Sequence, residues 1–399
     1  MKRFGFFFTV VLIILFTACD SKNKEEPDPL QEEIFKFLPA SILRELPVNP
    51  AMKFVQNMGA GINIGNTLDA IGTETWHSGE NGWGNPDITR DFIKALKNYG
   101  YKSIRLPVTW AEYLGPAPDY KIGTCVFNCG GCPDRLDRAE EVVKWILEED
   151  MYCIINIHHD GGHSDKSWIL NAETEPEAIA DQLTKVWKQI AQRFSATAQD
   201  KLIFESMNEV GFDTLWKKAN GRSEAYKIFN MLNQTFVDTV RGVPGNEDRY
   251  LLIAGYWTNI DQSINALFEM PKDTIDHRLI LSVHYYDPST FAIAESPDNS
   301  WGFRDTWGTL ADYNSLKLQF SKLRSAYLDK GIPVIMGEYG VTFRNKDEDS
   351  RIKWMAAVKQ ISLNYGICPV LWDTGGEIDR WEPYPMEESL KRVWKIIKF

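Results

Sequence analysis

The sequence has fewer basic than acidic residues. It holds 44 Lys and Arg against 55 Asp and Glu, and its net charge at pH 7 is −11. No segment contains a basic cluster dense enough to follow a phosphate backbone, which argues against nucleic acid as a partner. An uncharged ligand is compatible with this charge balance.

The sequence also lacks an apolar run of the roughly 20 residues that a membrane-spanning helix needs. Two basic residues precede the apolar segment Phe4–Phe16, which is too short to span and fits the h-region of a secretory signal. Small residues then precede Cys19, which resembles a bacterial lipoprotein cleavage site. Residues 1–19 are therefore predicted to be a lipoprotein signal peptide with Cys19 as the lipidated N-terminus. A cleaved signal peptide with an incidental cysteine is the alternative.

Residues 20–33 are polar and charged, contain two prolines, and have too little apolar content to pack, so they are predicted to be a flexible tether. The protein is then expected to be exported and lipid-anchored to the cell envelope, on the periplasmic or surface face of the outer membrane, with no other membrane attachment. Residues 34–399 show no second linker and no internal repeat. One catalytic domain is expected, because α/β barrels range from about 200 to over 400 residues. The protein is expected to be a monomer.

Eight short apolar runs alternate with segments of helical spacing. The runs are 60–64, 102–106, 152–157, 202–206, 251–254, 279–283, 333–336 and 369–371. The helical segments are 89–99, 136–149, 177–194, 226–240, 310–330 and 349–364. Eight parallel strands with right-handed crossovers close into a (β/α)8 TIM barrel, an α/β fold. A doubly wound open sheet is less favoured, because residues 59–63 lack the spacing of a phosphate loop.

Polar or aromatic side chains stand at nearly every run's C-terminal end. The C-terminal edge of a TIM barrel carries its chemistry, and helix capping does not explain so many such residues. They are Asn63, Asn66, Arg105, His158, His159, Asp160, Asn208, Glu209, Trp257, His284, Tyr285, Tyr286, Glu338, Tyr339, Trp372 and Asp373.

Two of these residues, Glu209 and Glu338, follow the fourth and seventh runs and would face each other across the barrel mouth. Such a carboxyl pair cleaves glycosidic bonds, with retention at a separation of about 5–5.5 Å and inversion at a wider gap. Arg105 and the hydroxyl of Tyr286 are the candidates that would keep a nucleophile ionised. The 14 Trp and 15 Tyr suit the binding of sugar rings.

The order of six motifs resembles glycoside hydrolase family 5 of clan A. The motifs are residues 103–108, 155–159, 204–209, 284–286, 337–340 and 371–372. The resemblance implies a retaining enzyme without a cofactor, with Glu209 as acid/base and Glu338 as nucleophile. It further implies that six residues surround the reacting sugar: Arg105, His158, Asn208, His284, Tyr286 and Trp372.

Residues 63–70 and 83–86 are most similar to subfamily 4 of that family. This likeness implies that Asn66, Trp83 and His159 bind sugar units along the negative subsites. The expected function is endo-hydrolysis of cell-wall β-1,4-glycans: cellulose-type glucan, mixed-linkage glucan or xyloglucan. A xylanase or a mannanase of the same fold is the alternative. Endo action is expected because no long insertion blocks the barrel mouth.

Three cysteines support a rival interpretation. Cys125, Cys129 and Cys132 have the C-x3-C-x2-C spacing with which radical-SAM enzymes hold a four-iron cluster. That motif normally follows the first barrel strand, whereas this one follows the second, and an exported chain is a poor host for such a cluster. A local disulfide is the preferred interpretation and a structural zinc the second.

Other polar groups have structural interpretations. Glu205 is expected to be an inward-facing residue paired with a basic neighbour. No metal is predicted at His158 and His159, because adjacent strand residues point to opposite faces and no second cluster completes a site. A non-catalytic polysaccharide-binding barrel would be expected to have lost one of the two carboxylates or Arg105. All three residues are present, so this interpretation is not favoured. Three loop glutamates are interpreted as solvated: Glu295, Glu377 and Glu382.

Overall fold

A computed structural model describes residues 27–38, 45–72, 79–125, 133–161 and 166–397. Its strands pair in parallel, in chain order, into one closed barrel in which β8 pairs with β1. All eight apolar runs are strands, so the predicted TIM barrel is confirmed. The strands are β1 Gly61–Asn63, β2 Ser103–Leu106, β3 Tyr152–Asn156, β4 Leu202–Glu205, β5 Leu251–Asn259, β6 Leu279–Tyr285, β7 Val334–Tyr339 and β8 Cys368–Leu371.

The described residues form twelve α-helices, six of which correspond to the predicted helical segments. Those six are α3 Arg90–Asn98, α4 Arg135–Glu148, α5 Pro176–Arg193, α7 Gly221–Arg241, α10 Leu310–Ala326 and α11 Glu348–Asn364. The others are α1 Pro29–Phe37, α2 Pro50–Met58, α6 Asp213–Trp216, α8 Ile260–Ser263, α9 Ser289–Ala292 and α12 Glu388–Ile396. Side chains cap several N-termini, as Thr89 does for α3 by accepting a bond from the Phe92 amide.

The barrel interior is apolar at its N-terminal end. Inward-facing Ile154, Ile203 and Leu252 pack there with Phe54 and Val55 of α2. Helix α2 therefore covers the N-terminal end of the barrel. A second apolar layer lies between the outer face of the strands and the helices. Since α2 covers the N-terminal end, the described part of the barrel opens at the C-terminal ends of its strands, where TIM barrels carry their active sites.

Helix α1 corrects the predicted extent of the tether. Leu30 and Ile34 lie one helical turn apart and are buried. Glu33 pairs with Lys353 of α11 at 3.0 Å, and Gln31 donates to the carbonyl of Ile396 at 2.7 Å. The tether prediction is therefore wrong for residues 29–33, because the charged composition concealed an amphipathic turn. Residues 1–26, with Cys19, lie outside the described residues.

The described helices include none with both the length and the apolar character needed to cross a membrane. Cys153 and Cys368 are buried free thiols. Cys125 is half-buried, whereas Cys129 and Cys132 lie outside the described residues. The local disulfide therefore stays a prediction.

Candidate active site

The carboxylates of Glu209 and Glu338 meet at the C-terminal mouth of the barrel. One oxygen of each lies within 4.8 Å of the other and of a ring nitrogen of His284. Inverting hydrolases need about 6.5–9.5 Å between the carboxyl groups to admit a water molecule, and retaining ones about 5–5.5 Å. The pair therefore fits a double displacement, in which a carboxylate attacks the sugar directly.

Arg105 of β2 joins four polar residues inside the barrel. Its guanidinium donates to Glu338 at 2.8 Å, to Glu205 at 2.7 Å, to Asn208 at 2.7 Å and to Asn63 at 3.0 Å. The side chains of Arg105 and Glu205 have no exposed surface. Two carboxylates thus compensate the buried cation, and the interpretation of Glu205 as a structural partner of a basic residue is confirmed.

Strand β6 supplies two further groups to the pair. The hydroxyl of Tyr286, just beyond the strand, donates to Glu338 at 2.9 Å. Nδ1 of His284 lies 2.7 Å from Glu209 and 3.5 Å from Glu338. Residue 337 packs closely against this imidazole, because a Cβ on Gly337 would lie 3.1 Å from Nε2 of His284. Glu338 is therefore held from two sides, whereas Glu209 has His284 as its partner and a half-exposed side chain.

The backbone of Glu209 is in the left-handed region, with φ of 45°. The flanking residues hold this conformation, since the Asn208 amide donates to the Ile157 carbonyl at 3.0 Å and the Trp257 amide to the Val210 carbonyl at 2.9 Å. Such a conformation costs of order 1–3 kcal/mol in a residue other than glycine and is concentrated at functional sites. It turns the Glu209 carboxylate toward the cleft.

Flat rings line the cleft beside the carboxylates. The rings of His158 and Trp372 are parallel to within 4°, with centroids 5.7 Å apart. Burial holds the pKa of His158 well below its usual range, so this imidazole is neutral. Its Nδ1 lies 3.1 Å from Nδ2 of Asn156. A neutral donor next to an indole face suits a sugar ring, which presents hydroxyls at its edge and C–H groups on its face.

The residues predicted for outer sugar units lie near β1 and β3. The rings of Trp83 and His159 are 5.5 Å apart, and the Trp83 indole donates to the Ile71 carbonyl at 3.0 Å. Asn66 has a left-handed φ of 57°, and its carbonyl accepts a bond from Asn85. His159 lines the central cleft, whereas Asn66 and Trp83 lie outside its walls.

A model of the cellulase family, glycosyl hydrolase family 5, matches residues 64–377. The chain belongs to this family. It is 37% identical over 348 residues to endoglucanase A of Paenibacillus barcinonensis, covering 82% of each chain.

Two similar solved structures indicate the subfamily to which the chain is most similar. A broad-specificity endoglucanase of subfamily 4 from Bacteroides salanitronis has a TM-score of 0.74 and 32% identity, over 88% of this chain and 95% of its own. A family 5 xyloglucanase from Paenibacillus pabuli has a TM-score of 0.73 and 34% identity, over 86% and 98%. This family 5 member is a glycoside hydrolase most similar to subfamily 4, so the radical-SAM and non-catalytic interpretations are set aside.

The two carboxyls of this hydrolase lie close enough that each disfavours the charge of the other, and partial removal from water disfavours both charges. Burial raises the pKa of Glu338 against the opposing effects of His284 and Arg105. At Glu209 burial acts in the same direction and is the largest single effect, but the hydrogen bond from His284 and the charges of His284, Arg105 and His159 together outweigh it, so the pKa is lowered. When Glu209 is protonated instead, it can donate to an unprotonated Nδ1 at the same distance.

The cleft has a volume of about 620 Å³ and a second wall from the loops after β6, β7 and β8. The sequence did not indicate this wall, because periodicity does not show which loop residues fold back over a site. The interpretation of Glu377 as solvated is wrong. It is buried, bonded to Arg351 at 2.9 Å, and burial raises its pKa to about 8. The missed wall residues include Ile293, Glu295, Thr342, Phe343 and Glu377.

Three groups near β3, from Asp69, His158 and His159, also lie within 4.8 Å of one another. Contrary to the prediction, the two histidines do not point to opposite faces of a strand, because both lie beyond the end of β3 and their rings are 4.6 Å apart. The Asp69 oxygens accept bonds from the amides of Asn66 and Thr67. The absence of a metal stays a prediction.

Replacement of Tyr286 tests whether its hydrogen bond lowers the pKa of Glu338. In Tyr286→Phe the carboxylate form of Glu338 loses a donor, so we expect the pKa of Glu338 to rise by about one unit. The acid limb of kcat/KM for an activated aryl β-cellobioside should move to higher pH by that amount. Tyr285→Phe, on the opposite face of β6, is the control, and an acid limb that does not move in Tyr286→Phe would contradict this assignment.

Proposed function

We propose that this hydrolase is a retaining endo-β-1,4-glucanase that cleaves plant cell-wall β-glucans, with Glu209 as acid/base and Glu338 as nucleophile. The observation that carries the proposal is the close approach of the two carboxylates in unequal surroundings. Glu338 bonds to a guanidinium and a phenol, which stabilise its carboxylate form against the effect of burial, whereas Glu209 is more exposed and bonds to an imidazole.

In the first step a carboxylate oxygen of Glu338 forms a bond to the anomeric carbon of the sugar. The bond from that carbon to the leaving oxygen breaks, and Glu209 gives its proton to that oxygen. Arg105 and Tyr286 hold Glu338 in place, which lowers the entropic cost of the attack. Asn208, fixed by Arg105, lies beside the pair and is the candidate donor to the sugar 2-hydroxyl.

In the second step Glu209, now ionised, takes a proton from water while the water oxygen attacks the same anomeric carbon. The bond to Glu338 breaks, and both carboxyls return to their starting states. Because His284 bonds to Glu209 through Nδ1 in either protonation state, one imidazole position serves both steps. Two inversions give net retention.

The choice of β-1,4-glucan rests on the similarity to proteins named endoglucanase and xyloglucanase. The cleft agrees with this choice in two respects. Among the described residues it is a cleft that opens to solvent, which an internal site on a polymer requires, and Trp372 and His158 provide a flat floor for an equatorially substituted ring. Xylan and mannan are the comparison substrates.

Removal of either carboxyl separates the two roles. Glu338→Ala and Glu209→Ala should each lower turnover on glucan by several orders of magnitude with unchanged folding, measured by circular dichroism. With an aryl leaving group that needs little protonation, Glu209→Ala should keep most of its glycosylation rate. Azide should then restore turnover and give a β-glycosyl azide, identified by NMR. An α-glycosyl azide from Glu209→Ala would overturn the mechanism.

Endo action has its own signature. On soluble mixed-linkage glucan and xyloglucan, viscosity should fall well before reducing ends accumulate, because internal cuts shorten long chains fastest. Initial rates on these two polymers should exceed those on xylan and mannan. Viscosity that falls only in step with reducing ends would indicate exo action, and a higher rate on mannan would move the substrate assignment to a mannanase.

We also propose that the protein is exported and anchored through a lipid on Cys19. The support is the short apolar segment, the small residues before Cys19 and the polar residues after it. Cells that express the full chain with labelled palmitate should incorporate label into the wild type and not into Cys19→Ser. Equal labelling of the two, or labelling of neither, would contradict the proposal.

A further inference from the structure

Phe343 is an aromatic side chain on the cleft wall that the mechanism does not use. It lies in the loop after β7, the strand that carries Glu338, and 43% of its surface is exposed. The ring lines the same cleft as Glu209 and Glu338. An exposed aromatic ring in the wall of a polar cleft is a surface to which a ligand can bring apolar area.

The ring is fixed from behind by a buried cation. The Arg351 guanidinium of α11 lies 3.8 Å from the centroid of Phe343. Arg351 is buried and is itself held by Glu377 at 2.9 Å and by the hydroxyl of Ser389 at 3.3 Å. Because the ring rests on a salt-bridged group that does not move freely, little entropy is lost when a ligand stacks on it.

The edge of the same ring rests on a glycine. A Cβ on Gly376 would lie 2.9 Å from Cε2 of Phe343, closer than a carbon contact allows. With Arg351 against one face and Gly376 at the edge, the exposed part of the ring is the part turned to the cleft. The substitution Gly376→Ala should therefore displace the Phe343 ring while leaving it in the protein.

Polar groups line the same cleft as Phe343. The hydroxyl of Thr342 donates to the carboxylate of Glu295 at 2.9 Å, and Arg344 lies 3.4 Å from that carboxylate. Asn345 donates to the Glu295 carbonyl at 2.8 Å. A flat apolar surface with hydrogen-bonding groups at its margin matches a pyranose, which has C–H groups on its faces and hydroxyls around its edge.

We propose that Phe343 is the platform of a further sugar-binding subsite, which holds one pyranosyl unit of the substrate beyond the unit that lies over Trp372. The inference rests on the proposed glucanase function. A glucosyl unit of the main chain and a xylosyl branch present the same ring-face chemistry, so substrates must distinguish the two sources. In either case Phe343 sets which lengths or branches of glucan are cleaved efficiently.

The test compares kcat/KM across aryl β-glycosides of one to four β-1,4-linked glucosyl units and across xyloglucan oligosaccharides. For Phe343→Ala we expect about a tenfold loss, the size of one aromatic stack, on substrates that reach the platform, and unchanged values on shorter ones. A loss confined to longer linear substrates identifies a main-chain unit. A loss confined to branched substrates identifies a xylosyl branch.

Three matched variants support the comparison. Phe343→Tyr keeps the ring and should behave as the wild type. Gly376→Ala displaces the ring and should reproduce the loss. Trp301→Ala removes an aromatic side chain of similar exposure, 50%, that is not part of the cleft wall, and should have no effect. Thermal melting of each variant checks that the fold is intact.

Two outcomes would overturn the subsite. One is that Phe343→Ala and Gly376→Ala match the wild type on every substrate. The other is an equal loss on all of them, the shortest included, which would indicate a disturbed catalytic centre. A wild-type protein that cleaves none of the glucans would contradict the proposed function itself, and this result is distinguishable from both.

Discussion

The buried guanidinium of Arg105 is the interaction on which the site depends. It connects residues on or just beyond β1, β4 and β7 to β2 with bonds of 2.7–3.0 Å. Burial lowers the pKa of Arg105, and the charges of Glu205 and Glu338 more than offset this, so the group stays charged. A cation without water needs such partners, and the partners are thereby held at fixed positions.

Glu205 and Glu338 share this cation but differ in use. Glu205 also accepts a bond from Ser282 at 2.6 Å and has no exposed surface, so its carboxylate has no access to a ligand. Glu338 keeps an oxygen toward the cleft, where His284 and Tyr286 contact it. Glu205 thus supplies the buried negative charge that compensates Arg105, and Glu338 is available to react with a ligand.

The cleft wall is organised by a second buried network behind it. Arg351 bonds to Glu377, and Arg380 pairs with Asp373, the residue after Trp372, at 3.2 Å. A Cβ on Gly65 would lie 3.0 Å from the Trp372 indole, so the loop after β1 packs directly against that ring. The floor and the wall of the cleft are therefore positioned by ion pairs and close backbone contacts rather than by regular secondary structure.

The sequence by itself determined the eight strands, the six main helices and the candidate residues Glu209 and Glu338, because the alternation of apolar runs and the register of polar strand ends are local patterns. It also predicted that Glu205 pairs with a basic residue. It did not show α1 or α2, whose few apolar positions acquire meaning only against the barrel. The tertiary structure alone decided the distance between the carboxylates, the shared bonds of Arg105, the burial of Glu377 and the exposure of Phe343, since each depends on loops far apart in sequence that the closed sheet brings to one edge.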